Sequence, residues 1–147
     1  MKVRVTVVED DIESLEIVKN SLTQYGYIVD SFTDGSESYN YITSNADNIN
    51  VIILAKTLPN IGGMEILSKI QNNDHLKTIP VIIISVDNAE GCYKDALQMG
   101  AQFYVNKPID SKKILSLVKA AIRSRSRVSE NTSFVDKVSR YKGEINS

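Results

Sequence analysis

Val51-Ile52-Ile53-Leu54-Ala55-Lys56-Thr57-Leu58-Pro59 decides the fold of this chain. Its first four residues are β-branched or leucine with no polar alternation, the pattern of a strand covered on both faces. Val81 to Ile84 is a second run of the same kind. Doubly covered strands belong to parallel sheets, and parallel neighbours need a long crossover between them. The segments around these two runs should therefore alternate between strand and helix.

They do. Val3 to Val8, Ile28 to Phe32 and Phe103 to Val105 read as three further strands. Between them Leu15, Val18, Leu22 and Tyr25 recur at helical spacing, with Gly26 as a left-handed stop. Tyr39 and Ile42 anchor a second helix, Met64, Leu67 and Ile70 a third, and Ala89 to Met99 form a fourth that Gly100 closes. Asp110 can cap a fifth, with Ile114, Leu117, Val118, Ala121 and Ile122 as its apolar stripe. Five βα units predict an α/β fold, an open parallel sheet with helices on both faces, because right-handed crossovers place them there.

A chain of 147 residues, 42% hydrophobic and 24% charged, has the size of one domain plus a tail. We expect a domain over residues 1–123 and a separate segment over 124–147. Arg123-Ser124-Arg125-Ser126-Arg127 reads as a basic linker, and Phe134, Val138, Tyr141 and Ile145 as the apolar face of a C-terminal helix. A net charge of -1 argues against nucleic acid as a partner. No apolar run approaches the about 20 residues that span a bilayer, and the single Cys92 and lack of a leader point to the cytoplasm. His75 has no second histidine or cysteine near it and is not expected to bind metal.

In open α/β sheets the site lies at the carboxyl ends of the strands, beside the point where strand order reverses. Glu9 and Asp10 follow the first strand, Ala55 ends the third, Ser85 the fourth, and Lys107 follows the fifth. Separately, these are a solvated helix entry, a strand-end hydroxyl and a surface lysine; their shared placement argues for a site. Glu9 and Asp10 suit Mg²⁺, which takes hard oxygen ligands. Ser85 and Lys107 suit the oxygens of a transferring phosphoryl group. The first βα loop is acidic and has no glycine-rich cradle, so no organic cofactor is expected.

These segments, in this order, resemble the receiver domain of two-component response regulators over roughly Val3 to Arg123. Val7-Val8-Glu9-Asp10-Asp11 looks like the family's acidic strand end, and Leu58-Pro59-Asn60-Ile61-Gly62-Gly63 like the loop after its phosphoacceptor. Ile82-Ile83-Ile84-Ser85 is similar to the switch-hydroxyl strand, and Gly100 to Pro108 to the aromatic-switch and lysine segment. The resemblance implies a flavodoxin-like doubly wound (βα)5 three-layer sandwich with sheet order 2-1-3-4-5. It implies a histidine kinase or phosphotransfer protein as partner, and signalling rather than enzymatic action. It also implies an output domain or homodimer engaged through the face of the fourth helix, fifth strand and fifth helix. Tyr104 would turn inward as Ser85 moved toward a phosphoryl group on residue 55, and Lys107-Pro108 would be a cis bond.

The departures set limits. Counting back four residues from Pro59, the family's phosphoacceptor falls on Ala55, whose methyl cannot attack a phosphodonor. A metal would be left with Glu9, Asp10 and the backbone carbonyl of Thr57, so Mg²⁺ binding should be weakened. Gly62 replaces an aspartate common in that loop, a variation expected to be tolerated. Two origins of Ala55 stay open: an engineered acceptor knockout and a natural pseudo-receiver or dimerisation module. A haloacid-dehalogenase-like phosphohydrolase is the alternative from another class, but it needs an aspartate nucleophile after the first strand and a second two residues on. Glu9-Asp10-Asp11 lacks that alternation. Without an anionic neighbour at position 55, Lys107 should lean toward Glu9 and Asp10. We expect an inactive-like resting state with Tyr104 turned outward.

Overall fold

The computed structural model describes the backbone of residues 2–130 and side chains as far as residue 125. The candidate helix from Phe134 to Ile145 lies outside the described residues. Five strands, β1 (Arg4–Val8), β2 (Ile28–Phe32), β3 (Val51–Ala55), β4 (Val81–Ser85) and β5 (Phe103–Asn106), form one parallel sheet in the order β2-β1-β3-β4-β5. Five helices, α1 (Ile12–Gln24), α2 (Gly35–Asn45), α3 (Gly63–Gln71), α4 (Glu90–Gln98) and α5 (Ser111–Glu130), complete the expected doubly wound sandwich.

β3 and β4 are buried at every residue, as their unbroken apolar runs require. Alternation then deals their side chains into two cores. Ile52, Leu54, Val81 and Ile83 pack with Ile42 of α2, Ile66 and Leu67 of α3 and Ala96 of α4. Val51, Ile53, Ala55, Ile82 and Ile84 pack with Leu15, Val18 and Leu22 of α1 and Ile114, Val118 and Ala121 of α5. Each fully buried leucine or isoleucine contributes about 1.5–3 kcal/mol by leaving water, so these paired runs carry much of the fold. Pairings of Val8 with Leu54, Ala55 with Ile84 and Ser85 with Asn106 bring the strand ends level. That register is what assembles a site.

Two local expectations change. Tyr25 is 52% exposed at the C-cap of α1, not on its buried face; it stacks edge-on with Tyr27 and lies under the Lys119 ammonium. The helix ends at Gln24, two residues before the left-handed Gly26, whose φ is 100°, so Tyr25 is already the C-cap and no longer part of the helix. The basic segment Arg123 to Arg127, expected as linker, is helical, and α5 runs 20 residues to Glu130. No glycine or proline interrupts it, arginine is a good helix former, and Arg125 donates to the carbonyls of Ile49 and Asn50 at 2.8 and 3.4 Å. Those acceptors, at the entrance to β3, tie the extended helix to the sheet.

Candidate functional site

The chain crosses from the β2 side of β1 to its β3 side, so the strand-order reversal lies between β1 and β3. Glu9 and Ala55 stand there. Glu9 is fully buried, and its Oε1 faces the Lys107 ammonium in a very close ion pair. Its Oε2 takes a long 3.4 Å bond from the Asp11 amide, and Oε1 has no directional hydrogen-bond partner. Burial pushes the Glu9 carboxyl above its ordinary 4.5, and Lys107 opposes that rise without cancelling it. The pair is held, but incompletely. Ala55 sits beside it, 1% exposed, contributing a methyl to the core that α1 and α5 cover.

Lys107 does lean toward the acidic segment, though its second partner is Asp11, at 3.9 Å, and not Asp10. Asp10 is exposed and makes no ion pair among the described residues. Asp11 is the N-cap of α1; its carboxylate accepts the Ser14 hydroxyl at 2.6 Å, which holds its pKa below the usual range. Thr57 stands exposed just past β3. Among the described residues no three acidic, histidine or cysteine side chains converge as a metal cage. With one carboxylate committed to Lys107 and the other turned to solvent, the residues present do not fit a well-closed Mg²⁺ site.

A different economy governs the ends of β4 and β5. The Asp87 amide donates to Ser85 Oγ at 2.9 Å. The Asp87 carbonyl accepts from Tyr104 Oη at 2.7 Å and from Asn106 Nδ2 at 2.7 Å. The Asp87 carboxylate meets Lys56 Nζ at 2.7 Å. Asn106 also receives the Tyr93 hydroxyl on its Oδ1, and the Tyr93 and Tyr104 rings pack 4.5 Å apart. Asp87 is thus engaged through amide, carbonyl and carboxylate.

Tyr104 is therefore turned inward, 8% exposed and packed in the core under α3 and α4, which overturns the expected outward, inactive-like state. The expectation rested on Lys107 and position 55 alone. It overlooked that the Asp87 carbonyl offers the phenol a hydrogen-bond partner, so the inward position leaves the Tyr104 hydroxyl satisfied. Burial pushes the Tyr104 phenol above its ordinary value of 10.0.

The β3–α3 loop fixes the rim. Gly63 begins α3 so close to β3 that a Cβ there would lie 2.0 Å from the Ala55 carbonyl oxygen. Asp34 caps α2 by accepting the Glu37 amide at 3.0 Å, and its other oxygen binds Asn60 Nδ2, whose residue takes a φ of 68°. Gly62 has room for a side chain, its nearest added contact being 3.8 Å, in keeping with tolerated variation there. Lys107-Pro108 is cis. His75 pairs with Asp47 on the surface.

Ser85, Tyr104 and Lys107 thus lie along adjoining strand ends with Glu9 and Ala55, whereas Asp10 and Thr57 are exposed. Lys56, Asp87, Asn106 and Tyr93 were not foreseen as members. The available signal was position: Asp87 lies two residues after Ser85, and Asn106 immediately before Lys107.

Comparison with known proteins agrees with this geometry. The family model described as "Response regulator receiver domain" matches residues 5–119. The "Chemotaxis protein CheY" of Treponema pallidum is 31% identical over 121 residues, covering 82% of this chain and 83% of that protein. The "Regulatory protein VanRc" of Enterococcus gallinarum is 28% identical over 132 residues; the match covers 90% of this chain but 55% of that protein, so this chain spans about half its length. Among solved structures, a chain of the CheX-CheY-BeF3-Mg+2 complex from Borrelia burgdorferi superposes with a TM-score of 0.74 at 31% identity, covering 80% of this chain and 87% of its own.

Proposed function

Because this chain belongs to the receiver domain family of two-component response regulators, we propose that it is a receiver in non-phosphorylatable form, signalling through protein contacts. The observation that carries this reading is Ala55: a buried methyl level with Glu9, beside Lys107 and the Ser85 strand end. An acyl phosphate needs a carboxylate at that point, and none stands there. Asp11 is engaged by Ser14 and Asp10 faces solvent, so neither replaces it.

In this reading Mg²⁺ affinity at Glu9, Asp10 and the Thr57 carbonyl is much reduced, and no organic cofactor or enzymatic turnover is involved. Residues 1–123 make up the receiver, and 124–147 carry it toward an output. The partner is a histidine kinase or phosphotransfer protein, or an output domain or second copy at the α4-β5-α5 face, where Leu97 and Met99 are exposed. In this reading the chain by itself engages neither a membrane nor nucleic acid; no helix among the described residues is long and apolar enough to cross a bilayer. The protein is placed in the cytoplasm.

The test is to restore the acceptor. Ala55→Asp and the unaltered chain are each incubated with Mg²⁺ and acetyl phosphate, and intact mass is followed for a base-labile phosphoryl adduct. Only Ala55→Asp should gain one. Its failure to do so while folded would mean a pocket that works without phosphorylation altogether, the pseudo-receiver reading. An adduct on the unaltered chain would overturn both.

A further inference from the structure

We propose that Lys56 is a latch: its ion pair with Asp87 fixes the β4–α4 loop so that Tyr104 stays inward without any phosphoryl group. The inference rests on the receiver reading for its consequence, but its structural content stands alone. Lys56 extends from the end of β3, and its ammonium reaches Asp87 Oδ2 at 2.7 Å and Cys92 Sγ, in α4, at 3.5 Å. One side chain thus bridges the loop after β3, the loop after β4 and the first turn of α4.

The mechanical argument follows from what Asp87 holds. Val86, Asp87, Asn88 and Ala89 are all exposed, with Val86 at 72%, so apolar burial does little to fix this loop. Polar contacts must do it instead. Three of them grip the backbone of Asp87: Ser85 Oγ from its amide, and Tyr104 Oη and Asn106 Nδ2 on its carbonyl. The inward position of Tyr104 depends on where that carbonyl points, since the carbonyl is the phenol's acceptor. Lys56 holds the side chain of the same residue, so it restrains the peptide from the opposite direction. Lys56 is a positioning residue, acting on Tyr104 through Asp87.

An exposed ion pair is weak by itself, about 0.2–1 kcal/mol. It matters here because the loop is held by polar contacts on one residue and by little apolar burial, so a small bias can shift its population. Removing it should therefore move Tyr104 while leaving global stability nearly untouched. The Lys56 ammonium is also kept charged: the hydrogen bond it donates to the Asp87 carboxylate raises its pKa above 10.5.

The chain, labelled with ¹³C-tyrosine and carrying Ala55, gives a Tyr104 ring signal assigned by its loss in Tyr104→Phe. In Lys56→Met this signal should shift toward that of a solvent-exposed tyrosine, and the Asp87 amide should exchange faster, by up to about fivefold, the upper factor that a pair of this strength implies. Asp87→Asn should reproduce the shift. Lys56→Arg should retain the parent signal. A parent-like Tyr104 signal and Asp87 exchange in both Lys56→Met and Asp87→Asn would overturn the latch. No phosphodonor is used, so failure here is distinct from failure of Ala55→Asp to accept a phosphoryl group.

Discussion

At the α1 side of the strand ends a buried carboxylate and a lysine face each other next to a methyl, with one carboxylate oxygen short of a directional partner. At the α4 side, one strand away, the amide, carbonyl and carboxylate of a single aspartate are all engaged. The first region is electrostatically unresolved and the second is satisfied. Both lie in the same fold, at the same level of the same sheet, so topology does not account for the difference. Residue 55 does: an aspartate there would give Lys107 a second buried anion, whereas nothing in the Asp87 cluster uses that position. The Asp87 cluster can therefore be complete where the Glu9–Lys107 pair is not.

The largest test of this contrast is Lys107→Met. It strands the Glu9 carboxylate in the core, and removing one member of a buried pair costs about 3–5 kcal/mol. Urea unfolding at pH 7 should show a loss of that order. Without Lys107 the Glu9 pKa rises further, so folding takes up a proton between 4.5 and the folded value. The loss should thus shrink toward nothing below pH 4.5; a loss that stays constant with pH would mean that packing, not charge, is at stake.

Asn106→Ala comes next. It leaves the Tyr93 hydroxyl without its acceptor and removes one of the two donors to the Asp87 carbonyl. A cost of about 1–3 kcal/mol is expected, with no pH dependence between 4 and 7. An effect below the error of the unfolding curve would show that the α4 side is less tightly satisfied than its geometry indicates.

Glu9→Gln should have the smallest effect, and a distinctive sign. Glu9 is more basic in the folded chain than unfolded, so its contribution is most favourable below pH 4.5 and declines as pH rises through the folded value. Glutamine imitates the protonated form, and Lys107 can turn to Asp11, 3.9 Å away. The variant should match the parent near pH 4 and exceed it by up to about 1 kcal/mol at pH 7. A variant less stable than the parent at pH 7 would make the pair a net source of stability, and the contrast between the two regions would weaken.

Much of this was legible in the residues. The β3 and β4 runs announced themselves because burial on both faces erases alternation, and Glu9, Ser85 and Lys107 were singled out because sites in such sheets fall at strand ends. Asp10 and Asp11 are adjacent and chemically alike, so only the entry of α1 decides which one swings toward Lys107. Asp87 and Asn106 were missed because they act largely through a main-chain carbonyl, which leaves no mark on side-chain pattern. Arg125 looked like linker because the carbonyls that hold it belong to residues some 75 positions earlier. The direction of Tyr104 was misjudged for the same reason: its partner is backbone.

The central claim is that Tyr104 is set inward in a chain with alanine at position 55, and the Tyr104 ring signal tests it directly. Measured in the Ala55 chain and in Ala55→Asp, with and without acetyl phosphate and Mg²⁺, the Ala55 signal should be that of a buried, hydrogen-bonded tyrosine. It should coincide with phosphorylated Ala55→Asp and should not move when acetyl phosphate is added. A solvent-exposed Tyr104 signal in the Ala55 chain would contradict the account.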